Sequence, residues 1–227
     1  MGVSGHGRSW NEYFYPGTDV LVNLLGIRDS AALAMAEGEL ISARQVQMDT
    51  SDYPAIAETF DREHLRGLHR WLAQDVYPWA GEYRHIGVRK GVSDFAAVED
   101  IDRCVSRAAA IAADTDWADI VDEGFAEQSA KVFGWLNYAH PFRDVNGRAT
   151  RAFMDALAAK SGRFLYYGAV PRAVWVQRCA MSMPDLDREN PYHEYLTPVF
   201  AAMARELAED PDSYAERRQW RDDDLSR

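Results

Sequence analysis

Apolar residues recur at helical spacing over most of this chain, interrupted by short polar or Pro/Gly-rich segments. The first periodic stretch covers 31–45 and is rich in Ala, Glu and Leu, with Asp29-Ser30 in front of it as an N-cap. A polar break from Asp49 to Pro54 follows. The second helix is expected over 61–75, with Leu65, Leu68 and Leu72 on one face, and Val76-Tyr77-Pro78-Trp79-Ala80-Gly81 must end it. Residues 83–95 read differently. Isoleucine, valine and aromatics surround Gly87 and Gly91, with Arg89-Lys90 at a turn, which predicts a short β-hairpin. Helical spacing returns over 98–113 and 122–138, the latter with Phe125, Ser129, Val132, Phe133 and Leu136 on one side. Pro141 stops that helix just beyond His140. The next starts near Asn146, turns Phe153, Met154 and Leu157 inward and is capped by Gly162. Two more helices are expected over 172–181 and 191–208.

These elements assemble into a mostly α domain with one hairpin, over 29–208. An irregular lead-in at 1–28 carries Trp10, Tyr13, Phe14 and Tyr15, and a charged, aliphatic-poor tail occupies 209–227. The 227 residues are 47% apolar, so no metal or disulfide is needed to hold a core. Two cysteines, Cys104 and Cys179, form no framework and fit a reducing setting. The net charge of −11 opposes non-specific nucleic-acid binding. No run approaches the roughly 20 apolar residues of a membrane span, and the start lacks a secretory signal. The expectation is a cytoplasmic protein with neither nucleic acid nor membrane as partner, export by a dedicated secretion system remaining compatible.

Chemistry concentrates in His140-Pro141-Phe142-Arg143-Asp144-Val145-Asn146-Gly147-Arg148-Ala149-Thr150-Arg151. This loop joins one helix C-terminus to the next helix N-terminus, where unpaired N–H groups and partial positive charge suit phosphate. Asn146 and Gly147 sit at that terminus, where short side chains let an anion approach the backbone. Arg148 and Arg151 are three apart and share a face beside the anion. Asp144 offers a hard oxygen ligand to Mg²⁺. His140 is suited to accept a proton near neutral pH. Taken singly, a His-Pro pair, an Asp before a helix or two arginines are structural features; their joint spacing points to function.

The stretch resembles the signature loop of the Fic family, His-Pro-Phe-x-Asp/Glu-Gly-Asn-Gly-Arg-x-x-Arg. The resemblance extends to Asp75-Val76-Tyr77-Pro78-Trp79-Ala80-Gly81-Glu82-Tyr83-Arg84, similar to the lead-in of that family's flap hairpin, and to 23–27 with the helix after it, similar to the bacterial toxin and effector branch. It implies a single Fic-type helical domain whose histidine, here His140, deprotonates a Ser, Thr or Tyr hydroxyl of a target protein. The hydroxyl attacks the α-phosphate of ATP, and diphosphate leaves with Mg²⁺ held by Asp144. Val145, Asn146, Gly147, Arg148 and Arg151 would cradle the phosphates. The flap, 83–95, would pair with the target's extended segment, with Arg84, His85, Arg89 and Lys90 positioning the target; for Arg89 and Lys90 a solvated turn is the equal alternative.

Val145 stands where the family has glycine. Valine keeps the N–H but is expected to forbid positive φ and adds bulk beside the phosphates. A negative φ there would preserve the anion hole; otherwise diphosphate binding would be disturbed. The alternatives to AMP transfer are therefore Fic-type transfer of phosphocholine, a phosphoryl group or UMP, and a catalytically silent Fic-fold binding module. The family's inhibitory pattern, Ser/Thr-x-x-x-Glu-Gly/Asn, is not met. Glu37-Gly38, Glu123-Gly124 and Glu189-Asn190 are preceded four residues upstream by Leu33, Asp119 and Asp185. Inhibition is thus expected from a separate antitoxin-like protein. His64 and His69 lie about 140° apart around a helix and share no metal face.

Overall fold

The computed structural model describes residues 10–207 apart from 51–52, 55, 91–92 and 186–187, with the side chains of Trp10, Asn11, Lys90 and Ser93 also outside the description. The predicted tail, 209–227, lies outside the described residues.

The first two helices form where apolar spacing and an aspartate cap agree. α1 (Ser30–Gln47) begins at Asp29, whose carboxylate accepts the Ala32 N–H at 2.8 Å. α2 (Arg62–Ala73) begins at Asp61, which accepts from Glu63 and His64. After the flap come α3 (Ile101–Asp114), α4 (Asp122–Ala139) and α5 (Asn146–Lys160), then α6 (Arg172–Met181) and the short α7 (Thr197–Met203). α4 is the centre of the body: Phe125, Ala130, Gly134 and Trp135 are buried on different sides of it, as befits a helix enclosed by others. It packs against α3, α5 and α7, while α2 packs against α5 and α1. At Gly134 a Cβ would stand 3.2 Å from the Pro191 ring, so the chain passes close over this helix.

Two predicted elements differ. The hairpin is shorter than 83–95: β1 (Arg89–Lys90) pairs antiparallel with β2 (Ser93–Asp94), and the segment before it is irregular. Its carbonyls are engaged by a buried side chain instead of a ladder, as described below. The last helix is not continuous over 191–208. A 3₁₀ turn at His193–Tyr195 precedes α7, and the chain then extends as β4 (Ala204–Glu206). β4 pairs antiparallel with β3 (Arg163–Leu165), with Leu165 opposite Ala204. The main-chain groups just after α5, past Gly162 at φ +66°, thus find partners across the sheet rather than in a further helical turn.

Candidate active site

His140 closes α4 in the left-handed region, at φ 38° and ψ 58°, and its N–H still donates to the Leu136 carbonyl at 3.1 Å. Proline follows, so α4 cannot continue. The imidazole is half-buried and stacks on Phe95, ring centroids 3.7 Å apart and planes 10° apart. Phe95 immediately follows β2, so the flap supplies one wall for the predicted base; the hairpin pattern gave no sign of that role.

The His140 backbone is held from beneath by Arg84. This guanidinium is 1% exposed. It donates to the carbonyls of His140 (2.8 Å), Ile86 (2.7 Å), Ala96 (2.5 Å) and Ala139 (3.2 Å), and the Arg84 N–H donates to Pro141. The Ala139 and His140 carbonyls belong to the unsatisfied C-terminal end of α4, where a cation is favoured by the helix dipole as well. The sequence reading of Arg84 as a target-positioning residue is therefore corrected: its donors face inward. His85 is turned inward too, stacked on Tyr13 at 4.6 Å and hydrogen-bonded through Nδ1 to the Tyr13 hydroxyl at 2.9 Å. Arg89 stays at the surface and pairs with Asp94 across the hairpin at 3.0 Å, and the Lys90 side chain lies outside the described residues.

The five-residue loop 141–145 leads into α5. Asn146 closes it: its amide accepts from the Phe142 N–H and donates to the Phe142 carbonyl, both at 2.8 Å. Its side chain is committed to the loop, and its backbone N–H stands at the helix terminus, where the sequence reading expected an anion to approach the backbone. Gly147 is exposed, with open space where a Cβ would stand. Val145 adopts φ 61° and ψ 9° and is 5% exposed. Valine in the left-handed region costs about 1–2 kcal/mol, so the loop keeps this backbone shape against the residue's preference. The expectation that valine would tolerate only negative φ here is corrected. The Val145 N–H donates to the Asp144 carboxylate at 2.7 Å, an anion already seated on this donor.

Arg148 is half-buried and reaches Glu37 of α1 at 3.3 Å. The other Glu37 oxygen accepts the Tyr77 hydroxyl at 2.5 Å. Burial raises the Glu37 pKa, and nearby Asp144 raises it further. Glu37 did not fit the inhibitory spacing, yet it meets Arg148 of the loop. Its sequence signals were its place in the Ala/Glu helix and the Glu-Gly pair it forms with Gly38, and neither pointed to Arg148. Arg151 lies over the rings of Tyr167 (4.8 Å) and Trp175 (5.9 Å). Arg143 lies over Phe14 at 5.1 Å and Tyr13 at 5.8 Å, which ties the lead-in to the loop. Among the described residues no group of three or more His, Cys, Asp or Glu side chains is arranged to hold a metal. None of the described helices is long and apolar enough to cross a membrane.

Comparison with known proteins agrees with this picture. The model of the Fic/DOC family matches residues 59–158. The chain is 32% identical over 161 residues to the protein adenylyltransferase VbhT of Bartonella schoenbuchensis, covering 70% of this chain and 33% of that protein, so it spans about one third of VbhT. It is 35% identical over 151 residues to the probable protein adenylyltransferase y4lH of Sinorhizobium fredii, covering 65% of this chain and 75% of that protein. Among solved structures, the BepC protein of Bartonella tribocorum, a VirB-translocated effector with bound AMPPNP, superposes with a TM-score of 0.77 at 23% identity, covering 90% of this chain and all of the other. That likeness establishes the mostly helical fold.

Proposed function

Because the chain belongs to the Fic/DOC family, we propose that it is a nucleotidyltransferase that moves AMP from ATP to a Ser, Thr or Tyr hydroxyl of a target protein. The observation that carries the reading is the junction of α4 and α5. It sets His140, fixed by Phe95 and Arg84, across the loop 141–145 from a helix N-terminus that presents main-chain donors, Gly147 and Arg148. The names of VbhT and y4lH support it.

In this mechanism His140 accepts the proton of the target hydroxyl. The hydroxyl oxygen forms a bond to the α-phosphorus, and the bond from that phosphorus to the diphosphate oxygen breaks. The charge that develops on diphosphate meets the α5 N–H groups, Arg148 and Arg151. Arg148 exchanges Glu37 for phosphate, and the Val145 N–H exchanges the Asp144 carboxylate for phosphate. Mg²⁺ fits this donor set, since it binds through phosphates and one or two carboxylates and needs no all-protein cage. Asp144 would hold it, and the ion would supply positive charge to the phosphates.

Val145 motivated the alternative donors at the sequence level. Its positive φ is the case for which disturbed diphosphate binding was expected; the left-handed backbone nonetheless keeps the N–H on the loop as a glycine would, and on that ground AMP stays the leading reading over the other donors. The target's extended segment is expected along the β1–β2 flap, and a small antitoxin-like protein remains the expected inhibitor. A cytoplasmic setting, with abundant ATP and Mg²⁺, belongs to the same reading. The test is transfer of label from ATP marked at the α-phosphate into protein, in lysate with Mg²⁺, comparing wild type with His140→Ala. Label with wild type alone is expected; equal labelling by both would overturn the role of His140.

A further inference from the structure

His69 lies on α2, 75 residues before Asp144, and takes no part in the mechanism above. Both of its ring nitrogens are engaged. The Gly81 N–H donates to Nδ1 at 2.8 Å, so Nδ1 carries no proton. In a neutral ring the hydrogen then sits on Nε2, which donates it to the Asp144 carbonyl at 3.1 Å. The ring is fully buried and stacks on Phe142, centroids 3.7 Å and planes 13° apart. Burial pushes its pKa down to about 4, consistent with the single-proton form.

A peptide unit is planar and trans, so its C=O and N–H point in opposite directions. Fixing the Asp144 carbonyl toward α2 fixes the Val145 N–H away from it. That N–H is the donor already occupied by a carboxylate oxygen at 2.7 Å, and Val145 is the residue held at φ 61°. A strained residue persists only where its surroundings over-determine it. Asn146 secures the Phe142 peptide, but the Asp144–Val145 peptide needs a separate restraint. The other end of His69 holds Gly81, whose φ of 81° and 2.9 Å clearance to Arg70 admit no larger residue, so the same ring anchors the turn before the flap.

We propose that His69 is a positioning residue that orients the Asp144–Val145 peptide and thereby aims the Val145 N–H at a phosphate of the bound nucleotide. The inference rests on the phosphate-binding reading of the loop. It gives His69 a role that metal-ligand spacing could not suggest.

Two variants of the full chain test it. His69→Phe keeps a stacking ring and removes both hydrogen bonds; His69→Gln keeps one donor and one acceptor. After thermal melting has shown which variants fold, calorimetry measures binding of ATP with Mg²⁺ and of adenosine, which lacks phosphates. His69→Phe should bind ATP roughly 10- to 100-fold more weakly with adenosine affinity unchanged, and His69→Gln should recover most of the loss. If His69→Phe does not fold, the Gln variant and the NMR arm carry the test. Equal ATP binding by wild type and His69→Phe, or loss of both ligands in parallel, overturns the proposal. Imidazole ¹⁵N shifts of the free wild type should show hydrogen on Nε2 and none on Nδ1; any other form overturns it whatever the binding result. A wild type with that tautomer that binds adenosine and not ATP would instead sink the phosphate reading and, with it, the aim assigned to the N–H.

Discussion

Replacing His64 by phenylalanine should remove a measurable part of the protein's acid sensitivity. His64 on α2 is 2% exposed and lies edge-on to Phe60 at 5.1 Å and beside Phe153 at 5.2 Å. Burial lowers its pKa to about 4, with the Asp61 cap opposing the shift. The unfolded chain binds a proton on this ring near pH 6.5, and the folded chain does not until about pH 4. Between those values the unfolded state holds more protons, so stability falls as pH falls, by about 1.4 kcal/mol per pH unit for one group. By pH 5 the loss from His64 is about 2 kcal/mol, or roughly 4–8 °C in Tm for a domain of this size. Below the folded pKa the loss saturates. His69 and the carboxylates add their own pH dependence, which cancels when the two proteins are compared. Urea titrations of wild type and His64→Phe at pH 7 and pH 5 supply the comparison. His64→Phe should lose about 2 kcal/mol less over that interval. Equal losses would show that the folded ring titrates normally and would refute the argument from burial.

Two other changes separate structure from chemistry. Arg84→Met leaves the Ala139, His140, Ile86 and Ala96 carbonyls without this donor and should cost at least about 3 kcal/mol by urea denaturation, whereas a loss under 1 kcal/mol would mean that water replaces the guanidinium. Val145→Gly relieves about 1–2 kcal/mol of left-handed strain but gives up a buried side chain worth about 1.5–3 kcal/mol. Its stability should therefore move by less than about 2 kcal/mol while ATP binding is retained; lost binding would show that the valine itself shapes the anion site.

The helices α1 to α6 were legible because apolar spacing and breakers agree, and Asp29, Asp61 and Pro141 act where local chemistry expects them. The β3–β4 pair was not legible. Its strands are three residues each and meet across some forty positions of chain, so neither shows alternation long enough to detect. The loop's composition identified the site, but spacing cannot tell which way a side chain turns. Arg84 and His85 sit on the flap lead-in and face inward. Asn146 spends its amide on Phe142. Glu37 and His69 were assessed against motifs on their own helices, while their partners come from distant segments: Arg148 is 111 positions from Glu37.

The clamp made by Arg84 also sets a distance. One buried side chain holds the backbone of His140 and the two ends of the flap segment, at Ile86 and Ala96. The flap edge and His140 thus form a ruler with a fixed origin. A target strand laid along that edge advances about 3.3 Å per residue and turns alternate side chains away, so slipping by one position would carry its hydroxyl to the opposite face. Selection among neighbouring hydroxyls on such a target would follow from counting residues along the strand, with little need to recognise the side chains beside them.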